Sequence, residues 1–397
     1  MPEKYGHLCS LRGKSASRGD SLAHHYNNSG QFICYEINMF VFFVGPSSGK
    51  ITGQSVAFNL IYKNYKGKKS LVDYLDFSGS KCKVFLHYFL SMFMFVALNL
   101  MYLLSVKVVY ITTSRTYLGF FRDSFFILVG WLFRAKIVNH LHGSDFLYFR
   151  NKQPRFIQSI IDFVYNKIDI SIVLTEAMKE QYKAYEKMRL LVVSNCYSGL
   201  TEFGNKNILQ KNEIQFVYLS NLMYSKGVLH LIRAVKQAHE AGVPVKLILA
   251  GAICSDEYYS ENELSSLIDA EISTVNYIKY VGVVKGKQKN DLLLNTDIFV
   301  LPTFYRSEAQ PISIIEAMYY GCAIITTNHN YLKDFVNNEH GIIVEKESQQ
   351  ALSDAINLIH ENKTRFIDVS ESNMKLARTF YSPENYIQRI TDIITEE

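Results

Sequence analysis

The stretch "IFVLPTFYRSEAQPISIIEAMYYGCAIITT", Ile298 to Thr327, decides the fold. It opens on the apolar run "IFVLP" and closes on "AIITT", two short segments that read as buried strands. Between them, "PISIIEAMYYG" carries apolar residues at helical spacing and stops on a glycine. Strand, loop, helix, strand is the unit of a parallel α/β sheet, and such sheets bind ligands in the loops at the carboxyl ends of their strands. Pro311 suits a helix start, because its missing N–H would have no partner there. The amides that follow, Ile312 to Ile314 with Ser313 between them, point out of a helix end carrying about half a positive charge, a ready site for a diphosphate. Glu308 in the loop and Glu316 in the helix can then face one cleft. Two glutamates eight apart are more commonly surface acids, but Glu316 interrupts a run otherwise buried. An unpaired carboxylate there is costly unless a ligand or a donor meets it.

The same grammar extends in both directions. Downstream of residue 213 run the strand "IQFVYLS", the helix "GVLHLIRAVKQAHEAG", the strands "VKLILAG" and "YIKYVG" separated by a helix near "ENELSSLIDAE", the helix "KQKNDLLLNT", the segment already quoted, the strand "GIIVE" and the helix "QQALSDAINLIHEN". Upstream, strands are expected at 39–44, 107–112 and 136–141, at "DISIVLT" and at "RLLVVSN". Helices are expected at about 53–66, within 121–134, at 155–167 and at 175–185. A chain of 397 residues with 48% hydrophobic residues is long enough for two cores. The expected architecture is α/β: two tandem, doubly wound, Rossmann-like domains with a cleft between them. The domains are residues 39–200 and 214–397, the last helix of the second being able to pack back on the first. Residues 201–213, poor in large apolar side chains, read as a linker. Residues 1–38 lack periodicity and read as disordered or extraneous, with Met39 the candidate natural start.

Composition limits the partners. Six cysteines are scattered without a CxxC pair, which points to a reducing compartment and to no disulfide framework or zinc site. Residues 1–200 hold 24 Lys+Arg against 12 Asp+Glu, whereas residues 201–397 hold 18 against 25. The basic half is interleaved with aromatic and aliphatic runs rather than with polar residues, so it suits an anionic membrane surface better than nucleic acid. The competing reading is a solvated basic face with no partner. Val84 to Val106 is an uncharged stretch of 23 residues, long enough to span a bilayer. It contains His87 and Asn99 and runs into the strand "KVVYITTS", which favours a buried or interface-lying helix.

The block "EAQPISIIEAMYYGCAIITT", with its E-x7-E pair Glu308 and Glu316, and the segment "LSNLMYSKGVLHLIRA" are similar to the retaining glycosyltransferases of family four, which have the two-domain GT-B fold. The resemblance is strong over residues 214–345 and loose upstream to about Met39. It implies that Glu308 holds hydroxyls of a donor sugar, that Glu316 bonds a nucleotide ribose, and that Lys226 neutralises the departing diphosphate with Val284 beside the base. Lys226 also fits on its own chemistry, as a cation just past a strand's carboxyl end and beside Gly227. Where the family usually has an arginine, five residues before that lysine, this chain has Asn221. Part of the leaving-group charge must then be met elsewhere, for which Lys285 and Lys287 are candidates.

The glycine turn "GPSSGKITGQS" is no Walker A loop: Gly45 and Gly49 are separated by three residues rather than four, and Lys50 precedes Ile51 rather than Ser or Thr. The resemblance instead makes it a turn lining the donor cleft, with Gly53 approaching the donor phosphate and Thr52 where another glycine is common. In "HLHGSD", His142 ends a strand, and the resemblance places it near donor sugar and acceptor; a lone histidine is otherwise more often a satisfied core or surface residue. His140 and Asp145 are acceptor-side candidates, Asp145 alternatively a helix cap. Neither GxGxxG nor D-x-D occurs, so no dinucleotide cofactor and no metal are expected.

The sequence reading is therefore a nucleotide-sugar-dependent, metal-independent retaining hexosyltransferase. Its acceptor would be a lipid-linked glycan of surface polysaccharide, and its place the inner face of the cytoplasmic membrane. A sugar-nucleotide epimerase and a non-catalytic sugar-nucleotide binder with a degenerate site are the alternatives.

Overall fold

The computed structural model describes residues 22–26, 32–36, 39–48, 52–74, 81–101, 106–201 and 213–396. The expectations for 1–38 and for the linker at 201–213 fall largely outside the described residues. Within the first of these segments, β1 (Leu22–Tyr26) and β2 (Phe32–Glu36) pair antiparallel with each other.

The amino-terminal domain runs β3 (Phe40–Gly45), α1 (Gly53–Asn64), β4 (Lys69–Asp73), α2 (Lys81–Met101), β5 (Val106–Ile111), α3 (Tyr117–Leu132), β6 (Lys136–His140), α4 (Phe146–Asn151), α5 (Arg155–Tyr165), β7 (Ile170–Val173) and β8 (Arg189–Val192). All pairs in its sheet are parallel, in the order β4-β3-β5-β6-β7-β8. Side-chain alternation along β3 sorts the two faces. Phe42 and Val44 bury with α2, α3 and α5, whereas Val41 and Phe43 bury with α1. Strand β4 is absent from the sequence reading, because "KSLVD" is short, charged and at the sheet edge, where little apolar signal is needed. The helix expected at 175–185 is a 3-10 segment, Ala177–Tyr182.

The carboxyl-terminal domain runs β9 (Ile214–Leu219), α6 (Val228–Glu240), β10 (Val245–Ala250), α7 (Glu261–Ile272), β11 (Ile278–Tyr280), α8 (Lys287–Leu294), β12 (Ile298–Leu301), α9 (Ile312–Tyr319), β13 (Ala323–Thr327), α10 (Leu332–Phe335), β14 (Gly341–Val344), α11 (Gln349–Glu361), α12 (Lys363–Phe380) and α13 (Pro383–Thr395). Its sheet is also parallel throughout, in the order β11-β10-β9-β12-β13-β14. The order reverses between β9 and β12, so the loops leaving these two strands splay to opposite sides and open a crevice.

The last helix crosses back. Tyr386, Ile390, Ile393 and Ile394 of α13 bury in the same cluster as Val41, Phe43 and Phe58 of the amino-terminal domain. Arg389 donates to Val192 O at 2.7 Å and Lys136 to Ile393 O at 3.0 Å, tying the helix to that sheet.

Candidate active site

The crevice at the switch point is built from two loops in backbone contact. After β9, a single 3-10 turn, Tyr224–Lys226, ends on Gly227, whose φ of 77° is left-handed. A Cβ at Gly227 would stand 2.2 Å from Pro302 O, so the turn carrying Lys226 rests directly on the loop that leaves β12. Asp256 accepts from the amides of Ser225 (2.7 Å), Tyr258 (3.0 Å) and Tyr259 (3.1 Å), which fixes the same turn from its other side. Burial alone would raise the Asp256 carboxyl, but these bonds outweigh it and leave it below the ordinary range.

Lys226 is thereby aimed at Glu308. Its Nζ lies 3.1 Å from Glu308 Oε2 and donates to Ser220 Oγ at 3.0 Å. Only 15% and 11% of the two side chains are exposed. Glu308 Oε2 is buried and outside hydrogen-bond geometry even with this lysine, so it is a carboxylate held close to a cation with an acceptor position to spare.

Pro311 is the N-cap of α9 rather than its first helical residue, with ψ of 121°. Ile314 N–H is taken by Pro311 O at 3.2 Å, which corrects the expectation of three free amides. The donors left by position are those of Ile312 and Ser313. Glu316 is buried as its apolar context requires, and its partner is Lys289 of α8, Nζ to Oε1 at 2.5 Å. Burial raises the Glu316 carboxyl and Lys289 pulls it partly back. Sequence reasoning asked for a donor here without finding Lys289; the signal was the alternating lysines 285, 287 and 289, of which the first two are exposed.

Across the cleft, Gly53 is the first residue of α1, capped by Thr52, whose Oγ1 accepts from Ser55 N at 3.2 Å. A Cβ at Gly53 would lie 3.7 Å from Ile312 Cδ1, so the amino-terminal ends of α1 and α9 meet across the two domains. Both carry unspent amides and positive helix-end charge. The described residues do not include 49–51 of the glycine turn.

The loop after β6 docks on the Glu308 loop. Ser144 Oγ donates to Arg306 O at 2.8 Å, and Asn330 Nδ2 bonds both Ser144 Oγ (2.9 Å) and Glu308 O (3.0 Å). Ala309 buries in the amino-terminal core, and the Asn195 amide donates to Gln310 Oε1 at 2.6 Å. Asn330, invisible as a motif, braces the direct contact that Ser144 makes between the two loops.

His142 stacks on His140 with ring centroids 4.0 Å apart. It keeps a little exposed surface, yet both its ring nitrogens are buried without a protein partner. Burial, with the nearby Arg115 charge second, lowers it to about 3, so it is a neutral imidazole at ordinary pH. His140 is fully buried, with Nδ1 2.7 Å from Tyr110 OH, and burial also holds it neutral. An acceptor-side role for His140 is therefore corrected: it has no exposed surface with which to meet a ligand and supports His142 instead. Asp145 stands at the N-cap position of α4 but makes no side-chain cap bond; its carboxylate is paired with Arg115 instead, so it is not a free carboxylate. Asn221 is exposed and bonds Tyr218 only through its backbone carbonyl, 2.8 Å. Val284 is half-buried against the carboxyl-terminal core.

Residues 201–378 match the family model for glycosyl transferases group 1. Among curated proteins, the chain is 24% identical over 149 residues to an uncharacterized glycosyltransferase of Methanocaldococcus jannaschii, covering 36% of this chain and 35% of that one. It is 25% identical over 140 residues to TuaC, a Bacillus subtilis glycosyltransferase whose name assigns it to teichuronic acid biosynthesis, covering 35% and 31%. The chain thus spans about a third of the length of these curated relatives. Over nearly its whole length it superimposes on Anabaena HepE, solved with UDP and glucose: TM-score 0.68 at 16% identity, covering 91% of this chain and 100% of that one. The fold is that of GT-B glycosyltransferase structures.

Proposed function

We propose, from a chain whose residues 201–378 carry a glycosyl transferases group 1 domain, that this protein is a retaining hexosyltransferase using a nucleotide-diphosphate sugar. The observation that carries the reading is the Lys226–Glu308 pair at the strand-order reversal, with Glu308 in the loop that leads into α9, whose start approaches that of α1. The diphosphate sits between the ends of α9 and α1, bonded by the Ile312 and Ser313 amides and neutralised by Lys226. Glu308 accepts from donor-sugar hydroxyls, and Glu316 accepts from the nucleotide ribose. HepE, similar in fold, was solved with UDP and glucose, which supports a donor of this class.

In the reaction the bond from the anomeric carbon to the diphosphate oxygen breaks while a bond to the acceptor oxygen forms on the same face. The acceptor proton passes to the departing diphosphate, so no protein nucleophile is consumed. Neutral His142 orients the reacting hydroxyls as a hydrogen-bonding group rather than as a cation. No step calls for a metal ion. The acceptor is a lipid-linked glycan of surface polysaccharide at the inner face of the cytoplasmic membrane, supported by the basic, aromatic amino-terminal half and by the name of TuaC.

Isothermal titration with UDP-, GDP- and ADP-sugars tests the donor site, followed by turnover on membrane extract with NMR assignment of the product's anomeric configuration. One donor should bind, Glu316→Ala should weaken it, and the configuration should be kept. Absence of binding by every donor, or an inverted product, overturns the reading.

A further inference from the structure

The outward face of the amino-terminal helical layer is apolar where a water-facing helix should be polar. On α2 the positions turned from the core are Leu86, Phe89, Leu90, Phe93 and Met94, spaced i, i+3, i+4, i+7, i+8; Phe93 is 68% exposed. The layer continues on α3 with Leu118, Phe121, Trp131 and Leu132, and on α5 with Phe156 and Phe163, all exposed. Helices α2, α3 and α5 share one side of the sheet, the side opposite α1 and α13. A contiguous apolar face of this kind marks an interaction surface rather than chance exposure.

Its charge says what it meets. Residues 81–136, which supply α2 and α3, contain seven Lys+Arg and a single acid, Asp123; Arg122 is spent on that buried acid and Arg115 on Asp145, and the other five have no acid in this stretch. Lys167 stands over the Trp131 ring at 4.2 Å and over Phe163 at 4.8 Å, an ammonium lying among exposed aromatics. Trp131 also lines a depression with Arg134, Lys136, Arg189, Asp169 and Glu396, the last ion-paired with Arg189. Two copies joined through this face would bring like charges together, whereas an anionic lipid surface supplies the complement and accepts the aromatic side chains. No helix among the described residues is long and apolar enough to cross a membrane, so the layer would lie on it.

We propose that the α2–α3–α5 face seats in the headgroup region of an anionic bilayer. Leu118 and Phe121 place the edge of this face at the cleft, since Arg115, three residues before Leu118, pairs with Asp145 beside His142. An acceptor anchored in the same bilayer would reach the cleft along that edge. The proposal deepens the membrane-bound acceptor reading above but does not depend on transferase chemistry, because vesicle binding is measured without donor.

Trp131 is the chain's one tryptophan and is 47% exposed, so it is a built-in reporter. The full chain is titrated with vesicles of phosphatidylcholine alone and of phosphatidylcholine with phosphatidylglycerol. Emission is read together with sedimentation. Anionic vesicles should shift Trp131 emission to the blue and bind at least about tenfold more tightly than neutral ones, as expected where each nearby cation contributes about fivefold. The double variant Phe89→Glu/Phe93→Glu, at positions outside the core, should lose binding while keeping its melting temperature and donor titration. Absence of a shift with either vesicle overturns the proposal. So does binding unchanged in the double variant, or sedimentation equilibrium showing that Phe89→Glu/Phe93→Glu breaks a dimer rather than vesicle binding.

Discussion

Lys226 Nζ stands 3.1 Å from Glu308 Oε2, where the carboxyl-terminal sheet reverses its strand order. The pair draws on loops 82 positions apart in the chain, Lys226 after β9 and Glu308 after β12, yet both are anchored by backbone: Gly227 against Pro302 and Asn330 against Glu308 O. Lys226→Ala leaves that scaffold intact and removes the cation. Its kcat should fall by about 10²–10³, the usual effect of removing one leaving-group stabiliser. Its melting temperature should fall too, because Glu308 is left a mostly buried carboxylate without its cation, so turnover is compared at a temperature where the variant is folded. Wild-type kcat in this variant would refute the assigned role.

Much of this was legible in sequence, and the limits are physical. The stretch from Ile298 to Thr327 announced a strand, a loop, a helix and a strand because burial on both faces leaves continuous apolar runs. Glu316 was conspicuous for the same reason. Its partner was not, since Lys289 arrives from a preceding helix through tertiary packing and local spacing does not encode that distance. Strand β4 was missed because an edge strand needs no apolar pattern. His140 was misplaced because the reading gave two strand-end histidines the same surroundings, whereas one faces the core and bonds Tyr110.

The Glu316–Lys289 pair yields a stability prediction. With Glu316 buried and Lys289 its nearest cation, Lys289→Met strands a carboxylate in an apolar site. Removing one partner of a buried pair costs about 3–5 kcal/mol. Adding Glu316→Gln to Lys289→Met should restore most of the loss, because no ion is then left behind. Urea unfolding measures both, and a Lys289→Met variant within about 1 kcal/mol of the parent would show that the bridge is not closed.

Two buried histidines should make the fold lose stability as pH falls below 6.5. His140 and His142 are lowered in the native state, His142 to about 3, from an ordinary value of 6.5. The unfolded chain therefore binds more protons than the native one below pH 6.5, and stability falls as pH drops through that window. Each such histidine contributes up to about 1.4 kcal/mol per pH unit. Glu316, raised from 4.5, acts with the opposite sign at pH values above 4.5, so the histidine contribution is read as the difference between the parent and a His142 variant, in which Glu316 is common to both. Unfolding at pH values below 6.5 should give a smaller slope for His142→Gln than for the parent. Equal slopes would mean that His142 is not held neutral.

A glycine pair separates strain from contact. Gly227 and Gly242 both have left-handed φ, 77° and 91°, but a Cβ at Gly242 meets nothing within 4 Å, whereas one at Gly227 meets Pro302 O at 2.2 Å. Gly242→Ala carries conformational strain alone, about 1 kcal/mol, and should keep full activity. Gly227→Ala adds a clash with backbone that neither loop can relieve without separating. It should cost about 1–3 kcal/mol and move Lys226 off Glu308, lowering kcat about as far as Lys226→Ala does. Comparing the two alanine variants by melting temperature and turnover decides the matter: if Gly227→Ala is as active as Gly242→Ala, the contact between the β9 and β12 loops does not position the cation.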